Sequence, residues 1–451
     1  MATVIETLAG YVVAEGLRDL PGYVIYHAKR ALIDWFAAML PGSQIAPAKL
    51  LTAALEDEVG AGRAWVYAGQ QRAPLRTAAL INATASHTIE FDDIFRDAIY
   101  HPGCPVIGAA LAAAQTHGAD GLALLRAIVA GYEVSTRIGV AVQPSHYRFW
   151  HTTGTIGTFG AATAVASLLK LDASGVGHAL ATAGTLAAAL QQAFRSDAMS
   201  KPIHAGHAAE AGALAAMAAG RGVTGALDVL EGKAGFGAAM STGADWCKAT
   251  AELGERYNIA AMTFKNHGCC GHAFAAIDAA LALRPQLELA EIERIDIGTY
   301  RTALDVTNRS AVDTPFEGRF STPFTVASAL VHGSVRLDGF TPHRLRDGEV
   351  QALMRRVEMS VDPECDAAFP NHRAAKVDIT LRDGRRLHHY QPTRKGDPDM
   401  PLTDADLAAK FLELAGPPLG DNATHDLLAT LNETETLDAA AIATLGTGTK
   451  S

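Results

Sequence analysis

Four short segments of this 451-residue chain gather histidines together with carboxylates, cations and small residues. They are His87 to His101 (HTIEFDDIFRDAIYH), His146 to His151 (HYRFWH), Arg195 to His207 (RSDAMSKPIHAGH) and His267 to His272 (HGCCGH). Moving a proton near neutrality needs groups that titrate there; imidazole does so unperturbed, and a partly desolvated lysine can join it. Each segment borders a hydrophobic stretch that reads as a helix, so each is expected at a helix end. Two or three such groups meeting in one cleft would make an acid/base site. A single histidine on an apolar helix is more often a satisfied core or surface residue. The clustering therefore carries the signal. Asp92-Asp93 alone reads as a helix cap, and Cys269-Cys270 as buried packing.

Other chemistries find little footing. HPGC (101–104) and CCGH (269–272) have no CxxC or HExxH partner to complete a zinc site, and the well-spaced thiolates of an iron–sulfur cluster are missing. There is no P-loop, and no GxGxxG follows a strand. No metal and no organic cofactor are expected. The five cysteines, Cys104, Cys247, Cys269, Cys270 and Cys365, are odd in number and irregular in spacing, which suits reduced thiols in a cytoplasmic protein. A net charge of −10 disfavours nucleic acid and anionic membranes as partners. An anionic substrate would need a site that collects its own Arg, Lys and His. The N-terminus lacks the basic flank and cleavage site of a secretory signal. The longest apolar run, Thr155 to Leu169, meets Lys170 short of the ~20 residues that span a bilayer.

The elements that must position these residues change character along the chain. From Pro21 to Leu40, Val24, Ala28, Leu32, Trp35 and Phe36 recur at helical spacing, with Pro41-Gly42 as the stop. Alanine-rich helical stretches follow around 74–89, 105–117, 120–140, 155–170, 173–194 and 203–220. Beyond residue 262, Ile295, Ile297 and Thr299 alternate with polar residues, as do Val357, Met359 and Val361, in the manner of strands. Val377, Ile379 and Leu381 lead through Arg382-Asp383-Gly384-Arg385 into Leu387, a hairpin with a glycine turn. After Pro401 the pattern is helical again, with Thr403 as N-cap of Asp404 to Leu414. The expected fold is mostly α: a large helical domain (1–262) completed by C-terminal helices (400–451), with a smaller α+β lid domain (263–399) inserted. A cleft between domains is a usual place for a small-molecule site.

At these same clusters the sequence resembles the MmgE/PrpD family, which includes 2-methylcitrate dehydratases, cis-aconitate decarboxylases and iminodisuccinate epimerases. The resemblance rests on ASHTIEFDD (85–93), HPGCPVIGAALAAA (101–114), HTTGTIGTFGAATAVASLL (151–169), MSKPIHAGHAAEAG (199–212), LEGKAGF (230–236), CCGHAFAAIDAAL (269–281) and FSTPFTVASAL (320–330). It implies the same two-domain fold, a homodimer and no cofactor. Carried over by position, His101, His151 and Lys201 fall on the family's active-site residues. Glu90 stands where the family usually has Asp, a longer carboxylate in a catalytic position. Asp93, Tyr147, Arg195, His204, His272 and Phe324 are expected to contact the substrate. Phe324 replaces the tyrosine of the decarboxylases, Ile94 replaces a Thr or Ser, and Phe274 replaces a common histidine. His272 lies two residues before Phe274, which on a helix is ~200° away.

The expected function is a cofactor-independent lyase, a dehydratase or decarboxylase, that removes a proton α to a carboxylate of a small di- or tricarboxylic acid. An epimerase of an iminodisuccinate-like dicarboxylate uses the same first step. A binding protein that kept the fold without catalysis is the alternative of another class.

Overall fold

The computed structural model describes residues 2–194 and 198–447. Helices dominate, and the chain divides into two compact units, residues 1–263 with 404–451 and residues 264–403. The first unit is built by α1 (Val4–Leu17), α2 (Gly22–Gly42), α3 (Leu75–Thr88), α4 (Gly103–His117), α5 (Gly121–Val142), α6 (Thr152–Leu168), α7 (Ala173–Leu186) and α8 (Ser200–Ala219). Side-chain caps set several starts. Thr3 and Glu6 form a capping box on α1, and Asp120 and Asp172 accept backbone N–H groups of Ala123 and Gly175 at the heads of α5 and α7.

Along α6 every residue from Thr152 to Ala166 is buried, so it forms the centre of the unit, with α5 and α8 packed against it. Its run of Gly, Ala, Thr and Ser gives a thin helix that neighbours approach closely. On α8, a Cβ at Gly212 would sit 2.5 Å from the Thr158 carbonyl oxygen, and one at Gly206 would sit 2.4 Å from the Leu80 carbonyl oxygen of α3. Only glycine allows α8 to lie this near both α6 and α3, and these three helices carry most of the site described below.

The stretch expected as one helix over 173–194 ends at Leu186. Residues beyond it are drawn into pairing instead: Trp150 and Leu190 form an antiparallel bridge, and the His151 N–H donates to the Ala189 carbonyl at 3.1 Å. Local helix propensity yields here to a tertiary hydrogen bond that holds His151 in place.

The second unit has a four-stranded sheet. Its strands are β1 (Ile292–Thr299), β2 (Val357–Val361), β3 (Ala375–Leu381) and β4 (Arg386–Gln391), in the order β2-β1-β3-β4. β1 and β2 are parallel, and the other two pairings are antiparallel. The expected hairpin joins β3 to β4, with Gly384 at φ +87° where an L side chain is disfavoured. One face of the sheet, with Ile295, Ile297, Val377 and Ile379, packs with α9 (Phe274–Leu283) and α10 (Thr322–His332). The chain then returns to the first unit through α11 (Asp404–Leu419), which continues past the expected Leu414 and takes in Pro417 and Pro418. There Lys410, fully buried, binds Asp34 of α2 at 2.5 Å and the Phe91 carbonyl at 2.8 Å. Helix α11 thus fastens the loop between α3 and α4. Among the described residues no helix is long and apolar enough to cross a membrane.

Candidate functional site

The loop from Ile89 to Pro102 is the first component of the site, and its backbone is held under strain. Glu90 and Ile99 both adopt left-handed conformations, φ +61° and +50°, which cost a non-glycine residue about 1 kcal/mol or more each. Several contacts hold the loop there. Phe95 and Tyr100 pair with each other, Ile94 pairs with Thr263, and Lys410 takes the Phe91 carbonyl. Asp93 accepts the Gly103 N–H at 2.9 Å and the Tyr132 hydroxyl at 2.7 Å. Asp93 is therefore a cap on the first turn of α4, supplied from across the loop. Burial raises its pKa to about 8, with the charge of Asp34 adding to the effect.

Asp92 points the other way and acts as a hub. Its Oδ2 lies 2.6 Å from His87 Nδ1, 2.9 Å from His101 Nδ1 and 3.2 Å from Cys104 Sγ. His101 Nδ1 is also 2.7 Å from the Asp93 carbonyl oxygen. Both neighbours of that nitrogen accept hydrogen bonds, so Nδ1 carries the proton and Nε2 keeps its lone pair. A carboxylate that fixes this tautomer makes Nε2 of His101 a base.

The other imidazoles crowd around this pair. His87 stacks on His151 with ring centres 5.4 Å apart and meets His101 edge-on at 5.0 Å. His151, the N-cap residue of α6, shares a hydrogen bond with His204 of α8, Nδ1 to Nδ1 at 3.0 Å. Burial holds His151 well below its ordinary pKa, and the neighbouring His87, Lys201, His204 and His101 charges push the same way. Burial likewise lowers His204 to about 4, helped by His87, His207 and Lys201. Lys201, in the first turn of α8, forms an ion pair with Glu90. Glu90, His101, His151, Lys201 and His204 thus come together, from the Ile89–Pro102 loop, the start of α6 and α8, in the first unit. Neutral imidazoles beside an ammonium make surroundings in which negative charge on a ligand is favoured.

These depressed imidazoles fix a pH dependence of folding. His151 and His204, with His146 at about 4 and His272 at about 3, stay neutral in the folded chain while an unfolded chain protonates them near 6.5. A depressed histidine therefore loses stability as pH falls below 6.5. Asp93 at about 8 and Glu133 at about 7 act oppositely, because the unfolded chain releases their protons near 4. Between pH 4.5 and 6.5 four imidazoles oppose two carboxyls, a net of about two protons taken up on unfolding. The melting temperature is expected to peak near pH 6.5, fall steeply towards pH 4.5 and fall gently above 7. A melting temperature flat from pH 4.5 to 6.5 would contradict it.

Tyr147 is half-buried on the single turn Ser145–Arg148, its carbonyl accepting from Gln191. Arg195 lies outside the described residues. His272 belongs to the second unit, where its Nδ1 meets the Tyr300 hydroxyl at 2.7 Å. It precedes α9, which begins at Phe274, so helical phase does not govern its direction. Phe324, on α10, has its ring fully buried in the hydrophobic core of the second unit, 6.2 Å from Phe340. A phenol at this position would bury a hydroxyl among apolar neighbours, costing about 1–3 kcal/mol. Phe324→Tyr is expected to lower the melting temperature and leave the reaction products unchanged; an altered product ratio would return position 324 to the site.

His87, Asp92 and Cys104 place three potential metal-ligand atoms within 4.8 Å of one another, all buried. Their geometry is that of hydrogen bonds to one carboxylate oxygen. Burial and the charge of Asp92 push the Cys104 thiol well above its ordinary pKa, so with no cation beside it the sulfur keeps its proton and donates to Asp92.

Residues 6–248 match the MmgE/PrpD N-terminal domain and residues 267–433 the MmgE/PrpD C-terminal domain. The chain belongs to the MmgE/PrpD family. It is 26% identical to the cis-aconitate decarboxylase-like protein oryM of Aspergillus oryzae over 424 residues, covering 88% of this chain and 87% of that protein. It is 28% identical to the cis-aconitate decarboxylases of Mus musculus and Homo sapiens, with 83% of this chain covered in each case and 78% and 79% of those proteins. The two family domains meet between residues 248 and 267, the stretch in which the chain passes from the first compact unit to the second.

Sequence reasoning on this MmgE/PrpD chain missed His87, Asp92 and Tyr132 as parts of the site. His87 and Asp92 stood inside the densest cluster of ionisable residues, which was the available signal. Tyr132 lies in the middle of an apolar helix and gave none.

Proposed function

We propose that this chain is a lyase that removes a proton α to a carboxylate of a small di- or tricarboxylic acid, using side chains alone. The observation that carries this reading is His101, whose Nδ1 is held between Asp92 and the Asp93 carbonyl. In the reaction, Nε2 of His101 takes the proton. The carbanion that results is strongly basic, so its charge must be met as it forms. The Lys201 ammonium supplies that charge or binds a neighbouring carboxylate, and Glu90 orients it. His151, neutral because it is buried, donates or accepts a hydrogen bond instead of adding a resident cation. In a dehydration the electron pair of the carbanion forms the double bond and expels hydroxide from the adjacent carbon, which leaves as water with a proton from an acid. In a decarboxylation the carbanion α to the remaining carboxylate forms by loss of carbon dioxide instead of a proton, and a proton is delivered to it. The names of the relatives favour cis-aconitate as the first compound to try. The homodimer belongs to the same reading, supported by exposed Phe149 and Leu190 next to the Trp150–Leu190 bridge.

Proton NMR of the protein with cis-aconitate, citrate and an amino-dicarboxylate in deuterated water tests the proposal. Deuterium entering one carbon of a substrate, followed by loss of carbon dioxide or water, is the expected result. Exchange with inversion and no loss of mass would make the protein an epimerase. Binding with no exchange in any compound would leave a non-catalytic binding protein.

A further inference from the structure

One face of α5 carries the loop that presents His101. Tyr132, Ser135 and Gly139 follow one another at steps of three and four residues, so they share a side of that helix. The Tyr132 hydroxyl donates to Asp93 at 2.7 Å, and Ser135 accepts the Tyr100 hydroxyl at 3.3 Å. A Cβ at Gly139 would come within 2.7 Å of the Ala98 Cβ. Four residues further, at the C-cap of α5, stands Gln143. Its Nε2 donates to the Ala98 carbonyl at 2.9 Å and to Thr152 Oγ1 at 3.0 Å. Neither acceptor belongs to α5. Ala98 lies in the loop, and Thr152 begins α6, directly after His151.

The bond to Ala98 holds the loop at its most strained turn. That carbonyl belongs to the peptide that enters Ile99, whose φ of +50° is unfavourable for a β-branched residue. The left-handed residue turns the chain so that Tyr100 pairs with Phe95, and His101 follows. Beyond the turn the His101 N–H donates to Thr153 Oγ1 at 3.3 Å. The loop is thus tied to the first two residues of α6 at two points, and one tie runs through Gln143. The Gln143 amide is used from one side only. Its Oε1 is sealed from solvent and has no hydrogen-bond partner among the described residues. The Ala98 carbonyl can only accept, so the nitrogen must face it and the oxygen is left over. A buried, unpaired carbonyl oxygen is destabilising, and an apolar side chain of similar volume would avoid it. The amide is accounted for by its two N–H groups and by what they join.

We propose that Gln143 is a positioning residue for the proton transfer, holding the segments that carry His101 and His151 in register. His87 lies between the two imidazoles, with ring centres 5.0 Å from His101 and 5.4 Å from His151, so a displaced loop alters the packing of both. With the tie through Ala98 cut, Ile99 relaxes towards negative φ and His101 leaves its place between Asp92 and the Asp93 carbonyl. Its tautomer is then no longer fixed. The effect on rate rests on the lyase reading above; the effect on the His101 tautomer does not.

Two readouts on the full chain test this: imidazole tautomers from long-range proton–nitrogen NMR, and steady-state turnover of cis-aconitate and citrate. Gln143→Met nearly keeps the volume and removes both donors and the unpaired oxygen. Gln143→Glu keeps the shape and, ionised, has no donor, so it serves where the methionine variant fails to fold. Gln351→Met is the control, because it removes an amide bond of the same kind, 2.8 Å to the Leu345 carbonyl, in the second unit. Wild type and control are expected to show one form of His101, protonated on Nδ1. Either variant at Gln143 is expected to add a second form, protonated on Nε2. Its kcat should be about 10- to 100-fold lower, at a KM within about 3-fold of wild type. Gln143→Met should melt within about 5 °C of wild type, since removal of the unpaired oxygen offsets the lost bonds. Unchanged His101 tautomers in a folded Gln143 variant, unchanged kcat in one, or the same losses in Gln351→Met would overturn the proposal. No turnover by the wild type would sink the lyase reading alone and leave the tautomers to decide the role of Gln143.

Discussion

Lys201→Met is expected to fold and to lose about 100-fold or more of its turnover, measured as deuterium exchange into the substrate. Methionine keeps the apolar stem in the first turn of α8 and deletes only the ammonium. The ion pair with Glu90 is partly open to solvent, 20% and 19% exposed on its two sides, so its loss should cost little stability. In the proposed reaction the same charge would matter far more, because it would face a carboxylate or a forming enolate beside buried, neutral imidazoles. Lys201→Arg keeps the charge on a wider, planar head and should recover binding better than rate. Near-normal exchange in well-folded Lys201→Met would show that the cation has no part in the chemistry, and the site would need a different arrangement.

Asp92→Asn should be at least as damaging to rate, by about 100- to 10,000-fold, with a much smaller change in KM. The substitution is nearly isosteric, yet an amide presents only one acceptor oxygen and adds a donor. The three contacts from His87, His101 and Cys104 all go to Oδ2, where the amide oxygen can stand, but that oxygen carries no charge and holds the His101 Nδ1 proton less firmly. His101 is then free to move its proton to Nε2, which removes the base. A merely structural role for Asp92 would lower the melting temperature and leave the rate per folded molecule intact. The decisive readout is therefore the kcat-to-KM split, taken with a melting curve. Retention of more than a tenth of wild-type kcat would refute the assignment of His101 as an Asp92-oriented base.

Much of this architecture was legible without coordinates, for physical reasons that act locally. Helical periodicity and the Pro41-Gly42 stop gave α2, and alternation gave the strands around Ile297 and Val377, with Asp383-Gly384 as their turn. Where a distant partner competes with local preference, the reading failed. Residues 187–190 left the helical pattern because His151 and Trp150 bind them.

The sequence by itself determined which residue types were available and in what order, because helical and strand periodicity and the clustering of ionisable groups are local properties of the chain. The grouping of His101, His151 and Lys201 came from the family resemblance. Only the tertiary structure decided what each of them does. Asp92 and Asp93 are adjacent and identical in type, yet one orients two imidazoles while the other caps a helix and is held protonated by burial. Their roles separate because the strained loop aims their side chains at different neighbours. Burial, hydrogen-bond partners and nearby charge set a protonation state, and all three are supplied by residues far away in the chain.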